Sequence, residues 1–223
     1  MNICQISLQK FVFSVIIYLP VGKGNNMKYP EFFDNVEKIV TYDELAEFLG
    51  ACEGGIIEYS YSDVVKTAGH SCATVAGAYL TALYGLKALY GKELPKRGEI
   101  KVEIQKTPIQ NNAGVVGCVL SNITGATTDY GFGGIPTGKF NRRDLLFYGA
   151  DIECDVKFTR LDTKRSVGVN YRPGKIVNPM VILKSAISPD ATEEDKRSFP
   201  KRFQEMVKTV LENGDKVIEV IEY

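Results

Sequence analysis

The 223-residue chain carries no excess of either charge, only one histidine and no CxxC pair. Each absence excludes something. Because 27 Lys and Arg are balanced by 27 Asp and Glu, there is no electrostatic footprint for a nucleic acid or a charged membrane surface. The five cysteines, Cys4, Cys52, Cys72, Cys118 and Cys154, are odd in number and widely spaced. This is unlike the dense, even framework of small secreted domains, and they are read as reduced thiols of a cytoplasmic protein. The apolar stretch from Phe11 to Leu19 is too short for the roughly 20 residues that a membrane span requires. No internal repeat and no low-complexity tract occurs.

The composition that is present, 44% hydrophobic and 24% charged, is that of a globular chain, and the length suits one domain with appendages. Residues 1–26 read as an N-terminal extension or a misassigned start. Lys10 and the apolar run resemble a signal-peptide core, which would mean export, but no small-x-small cleavage site follows. Met27 opens an ordinary polar and aromatic stretch. The main domain is therefore expected over 27–180, with 181–223 a linker and a C-terminal helix packed on it.

Periodicity assigns the elements. Thr41-Tyr42-Asp43-Glu44 has the shape of a capping box with Thr41 as the cap, and Leu45, Phe48 and Leu49 continue at helical spacing. Ile56–Tyr61 is a short segment that the pattern leaves undetermined. Thr74–Tyr90 carries an apolar stripe ending at Gly91, the clearest helix of the chain. Glu99–Gln105 alternates polar and apolar residues as a half-buried strand does. The small apolar run 112–123 fits a tightly packed helix. Strand-like runs over 145–158 and 166–171 are joined by a turn at Asp162-Thr163-Lys164. Phe199, Phe203, Met206, Val207 and Val210 mark an amphipathic helix with Pro200 near its first turn. The order of elements predicts an α+β fold with a mixed or antiparallel sheet, a long helix after the Gly69-His70-Ser71-Cys72 segment and a C-terminal helix.

That segment is the strongest chemical signal. An imidazole and a thiol two residues apart, just ahead of a helix, offer the nitrogen–sulfur pair that zinc accepts in tetrahedral sites, and the helix N-terminus favours the thiolate. A third donor must come from elsewhere: Cys118, Cys154, Asp63 or Asp129. The same pair also reads as structural, with His70 bonded to a backbone carbonyl and Cys72 packed inside, or as a Cys72 nucleophile with His70 as base. Gly133–Lys139 satisfies part of a phosphate-loop pattern, but Phe140 stands where a magnesium-binding hydroxyl belongs, and the nucleotide reading fails. Lys139, with Arg142 and Arg143 beyond it, is a candidate for holding an anionic ligand. The short polar side chains from Ser121 to Thr128, Asn122 and Thr124 among them, either line a pocket or turn the chain.

Gly69-His70-x-Cys72, followed by Gly77 and a long helix, resembles the GHxCPG signature of the FmdE-like family, which takes its name from a component of formylmethanofuran dehydrogenase. Thr124-Gly125-Ala126-Thr127 is similar to that family's threonine-glycine-x-threonine segment, and Gly138-Lys139-Phe140-Asn141 to its glycine-lysine-glycine-asparagine segment. The resemblance covers roughly residues 60–171. It implies an α+β domain with a mixed sheet, pairing into a homodimer, and a metal site, often zinc, built around His70 and Cys72. It also implies a setting beside a molybdenum or tungsten enzyme system of the formylmethanofuran dehydrogenase type, with a partner enzyme. The chain departs from the pattern at Ala68, where a further histidine is common, and at Ala73-Thr74, in place of Pro-Gly. The family's later cysteine falls near Val115, or at Cys118 with a three-residue shift. Three functions follow as expectations: a metal-binding protein with ligands His70, Cys72 and Cys118, a metal-free accessory protein of a partner enzyme, or a thiol-dependent redox enzyme using Cys72.

Overall fold

The computed structural model describes residues 28–223, so the extension expected over 1–26 lies outside the described residues. The chain opens with a short 3-10 turn, Glu31–Asn35, and then β1 (Ile39–Tyr42), α1 (Glu44–Phe48) and β2 (Ile56–Tyr59). β1 and β2 form a small antiparallel ladder in which Val40 faces Glu58. Next come α2 (Tyr61–Ala68), α3 (Ala73–Tyr90), β3 (Ile100–Ile104), α4 (Ala113–Thr124), β4 (Leu146–Tyr148), β5 (Val156–Arg160) and β6 (Ser166–Tyr171). The C-terminal part adds α5 (Pro179–Ile187), α6 (Glu193–Glu212), the one-turn α7 (Gly214–Val217) and β7 (Ile218–Glu222).

The main sheet has five strands in the order β4-β3-β5-β6-β7. Only the β3–β4 pair is parallel, aligning Val102 with Leu146, and α4 supplies the crossover that parallel neighbours require. The other pairs are antiparallel, with Val102 opposite Phe158 and Val156 opposite Val169. The sheet is therefore mixed and the fold α+β, as the order of elements predicts.

α3 is the centre of the core. Val75, Tyr79, Ala82, Leu86 and Leu89 are buried along it, and it packs on β5, β6, β7, α4 and α6. A helix apolar on nearly every face has to be covered all round. Close approach is set by glycines: a Cβ on Gly77 would lie 2.2 Å from the Tyr171 ring, and one on Gly85 2.6 Å from Phe158.

Several local expectations are corrected. Thr41 is not a helix cap; it lies in β1, buried, with its hydroxyl 3.4 Å from the Ile57 carbonyl. Asp43 caps α1 instead, accepting from the amides of Leu45 and Ala46, because its side chain is anchored from elsewhere in the fold. The undetermined segment 56–61 divides into β2 and the start of α2, with Ser60 and Asp63 forming the capping box. Pro200 lies inside α6 rather than in its first turn, since Thr192 and Asp195 form a capping box further upstream. The C-terminal part is more than a helix: β7 completes the sheet by pairing with β6, Val169 opposite Val220.

Candidate functional site

The loop Gly69–Cys72 is fixed at both ends. Gly69 closes α2 in the left-handed conformation at φ 76°, where glycine is favoured, and Cys72 opens α3 in extended backbone without a side-chain capping bond. Within the loop, His70 is exposed and its Nδ1 lies 3.0 Å from the Ala68 carbonyl oxygen. A carbonyl only accepts, so Nδ1 carries the proton and Nε2 of the neutral ring is left with a free lone pair. Metal-bound histidines are commonly oriented in this way.

His70 stands on the rim of a cavity of about 500 Å3 between α2 and α4, together with Thr67, Asn112, Val115, Cys118 and Asn122. The exposed Ile109 and Pro108 form its outer edge. The fold thus brings His70, Cys118 and Asn122 to one cavity from positions far apart in sequence. Cys118 sits on α4 beside Gly117, which admits the Tyr148 hydroxyl; a Cβ there would be 1.9 Å away. Burial first, and then the neighbouring Cys118, push the Tyr148 phenol above its ordinary range.

The remaining candidates go elsewhere. Cys72 does not line this cavity; it packs, half-buried, against the core near the buried Tyr61 and the half-buried Tyr171. The Tyr61 hydroxyl is 3.0 Å from the Ser71 hydroxyl, and the Tyr171 hydroxyl donates to the Ala73 carbonyl at 2.8 Å. Burial raises the pKa of both phenols, with Cys72 adding to the shift. Thr124 is wholly buried and donates to the Leu120 carbonyl at 2.7 Å while accepting from the Ala126 amide, a helix-end role. Lys139 is exposed 3.7 Å from Glu44, on a separate hollow lined by Arg97, Glu99 and Arg142. The alternative third donors are occupied or distant: Asp63 is held by Ser60, Asp129 by Thr128, and Cys154 is buried against the Val156 carbonyl. Among the described residues, no group of three or more His, Cys, Asp and Glu side chains is placed to hold a metal ion. The described residues supply at most a partial donor set.

Two features escape sequence reasoning. Asp43 is ion-paired with Arg97 and Arg142, each at 2.7 Å, across separations that no local pattern reveals. A second cavity beside α3 collects Thr81, Lys106 and Asp155, again from distant segments.

Fold and site together define an α+β domain with a cavity-lining imidazole and thiol. No protein-family model matches the chain, and no curated protein matches it significantly. The FmdE-like resemblance thus rests on the short motifs at 69–72, 124–127 and 138–141. No helix among the described residues is long and apolar enough to cross a membrane.

Proposed function

We propose that this protein is an FmdE-like binding module whose working site is the cavity between α2 and α4. Its ligand is a divalent transition metal, zinc foremost, bound through His70 Nε2 and Cys118 Sγ. The open positions are filled by donors of a bound small molecule or of a second copy of the chain in a homodimer. The observation that carries this reading is that His70, with Nδ1 tied to the Ala68 carbonyl, lines the same cavity as Cys118. That pairing is a nitrogen–sulfur donor set with room beside it for further ligands. Asn122, which lines the same cavity, orients such a ligand in this reading.

The shortage of donors among the described residues favours a second reading, a metal-free accessory protein that docks on a partner enzyme. Zinc titration of the metal-stripped chain, followed by elemental analysis, separates the two. The metal reading expects stoichiometric zinc, lost by at least tenfold in affinity in His70→Ala and in Cys118→Ser and retained in Cys72→Ser. Loss in Cys72→Ser with retention in Cys118→Ser would restore the His-x-Cys pairing of the motif and overturn the cavity assignment. Absence of binding by the folded parent chain would leave the accessory reading.

A further inference from the structure

A second cavity, of about 250 Å3, lies on the other side of the start of α4, between α3 and the ends of β3, β5 and β6. Its floor is apolar, formed by Ala78, Ile104, Ala113, Val116 and Val156. Its polar groups are Thr74, Thr81, Lys106, Asn111, Asp155 and Tyr171. Two of these have their bonding satisfied already: Asp155 accepts from the Tyr171 amide and Arg172, and the Tyr171 hydroxyl donates to the Ala73 carbonyl.

The decisive pair is not satisfied. Thr81 is only 3% exposed, and among the described residues its hydroxyl has no hydrogen-bond partner. The residue is buried but lines the cavity, so its hydroxyl is available to a ligand held there. Lys106, half-buried, lines the same cavity, and no described carboxylate pairs with it. The field adds to this cation. α3 and α4 both begin at the cavity, through Thr74 and Ala113, neither first turn holds an acidic residue, and α3 starts without a side-chain cap. Helix N-termini carry partial positive charge; the first amides of α4 are tied back to the Gln110, Pro108 and Asn112 carbonyls, so at α4 the helix adds field and no open donor.

A cation without a carboxylate partner among the described residues, a cavity-lining hydroxyl and an apolar floor in a space smaller than a drug-sized site specify the ligand. We infer that this cavity binds a short-chain aliphatic carboxylate, with the carboxylate at Lys106 and Thr81 and the hydrocarbon end over Ile104, Val116 and Val156. A phosphate would leave the apolar floor uncovered, and an amine would face Lys106. The inference does not depend on the metal reading, since none of these residues lines the α2–α4 cavity.

Amide-detected NMR titration of the full chain with sodium butyrate tests it, with butyramide and inorganic phosphate as matched probes. Butyrate is expected to shift the amides of Thr81, Lys106 and Ala113 saturably. Removal of a charge-assisted bond in Lys106→Met should weaken binding about 10- to 100-fold. Thr81→Val should weaken it by a smaller factor, and Lys92→Met, an exposed lysine elsewhere, should leave it unchanged. Thermal melts establish that the variants are folded. Equal binding of butyramide, preference for phosphate, or unaltered butyrate affinity in folded Lys106→Met would each overturn the assignment.

Discussion

Asp43 is 2% exposed, yet its carboxylate accepts from the amides of Leu45 and Ala46 and pairs with Arg97 and Arg142. Burial alone would raise its pKa, but the Arg97 hydrogen bond, the Arg142 charge and the Ala46 amide together hold it below the ordinary value. Arg142 reaches it through a slot at Gly98, where a Cβ would lie 1.0 Å from the guanidinium and where φ is +86°, so only glycine fits. Asp43→Asn keeps the cap but strands a buried cation, and it should cost about 3–5 kcal/mol in urea denaturation at pH 7. The double variant Asp43→Asn/Arg142→Met should lose less than the sum of the single losses, because the stranded charge goes with its partner. The pH dependence follows from the sign of the shift. Since the folded pKa is depressed, the Asp43 contribution is complete above its unfolded value of about 4 and fades as pH falls through the folded one. Stability curves of the parent between pH 7 and pH 3 should show that loss, and the Asn variant should show a shallower acid limb. None of this is legible locally: the capping pattern points to Thr41, and Arg142, which anchors Asp43 in place as the cap, is 99 positions away.

At the scale of elements, α3, β3 and α4 were readable because each has a complete period of its own. The burial of β3 alternates strictly, and α3 ends at Gly91 as its pattern says. β4 was not readable as a separate strand. Three residues carry too little period to show that β4 leaves the 145–158 run and pairs in parallel with β3. At the glycines of α3, two opposing effects have to be weighed. Alanine is better than glycine inside a helix by about 1 kcal/mol, while overfilling a packed core costs about 1–3 kcal/mol. At Gly85 the neighbour is the fully buried Phe158 ring, which has nowhere to move. Gly85→Ala should therefore destabilise by up to about 2 kcal/mol in denaturant titration. In a Phe158→Leu background, where the ring is removed, the same change should become neutral or stabilising.

At the scale of the molecule, the C-terminal part is integral. Met206, Val207 and Val210 of α6 and Val217 and Ile218 beyond it are buried in the common core, and β7 covers the edge of β6. Truncation after Glu212 removes β7 and two buried aliphatic side chains, each contributing about 1.5–3 kcal/mol, against a total stability of about 5–15 kcal/mol. It also bares the β6 edge, which is prone to pair with other chains. The truncated chain should elute as aggregate in size-exclusion chromatography and lose the cooperative thermal transition of the parent. By itself the sequence determined the fold class, the long central helix, the alternating strand β3 and the candidate donors His70, Cys72 and Cys118, because periodicity and residue chemistry are local properties. Only the tertiary structure decided that Cys118 and not Cys72 shares a cavity with His70, that Asp43 is the hub of a buried ion cluster, and that Lys106 and Thr81 line one cavity. Those facts depend on which distant surfaces come into contact, and contact between surfaces is set by packing the whole chain.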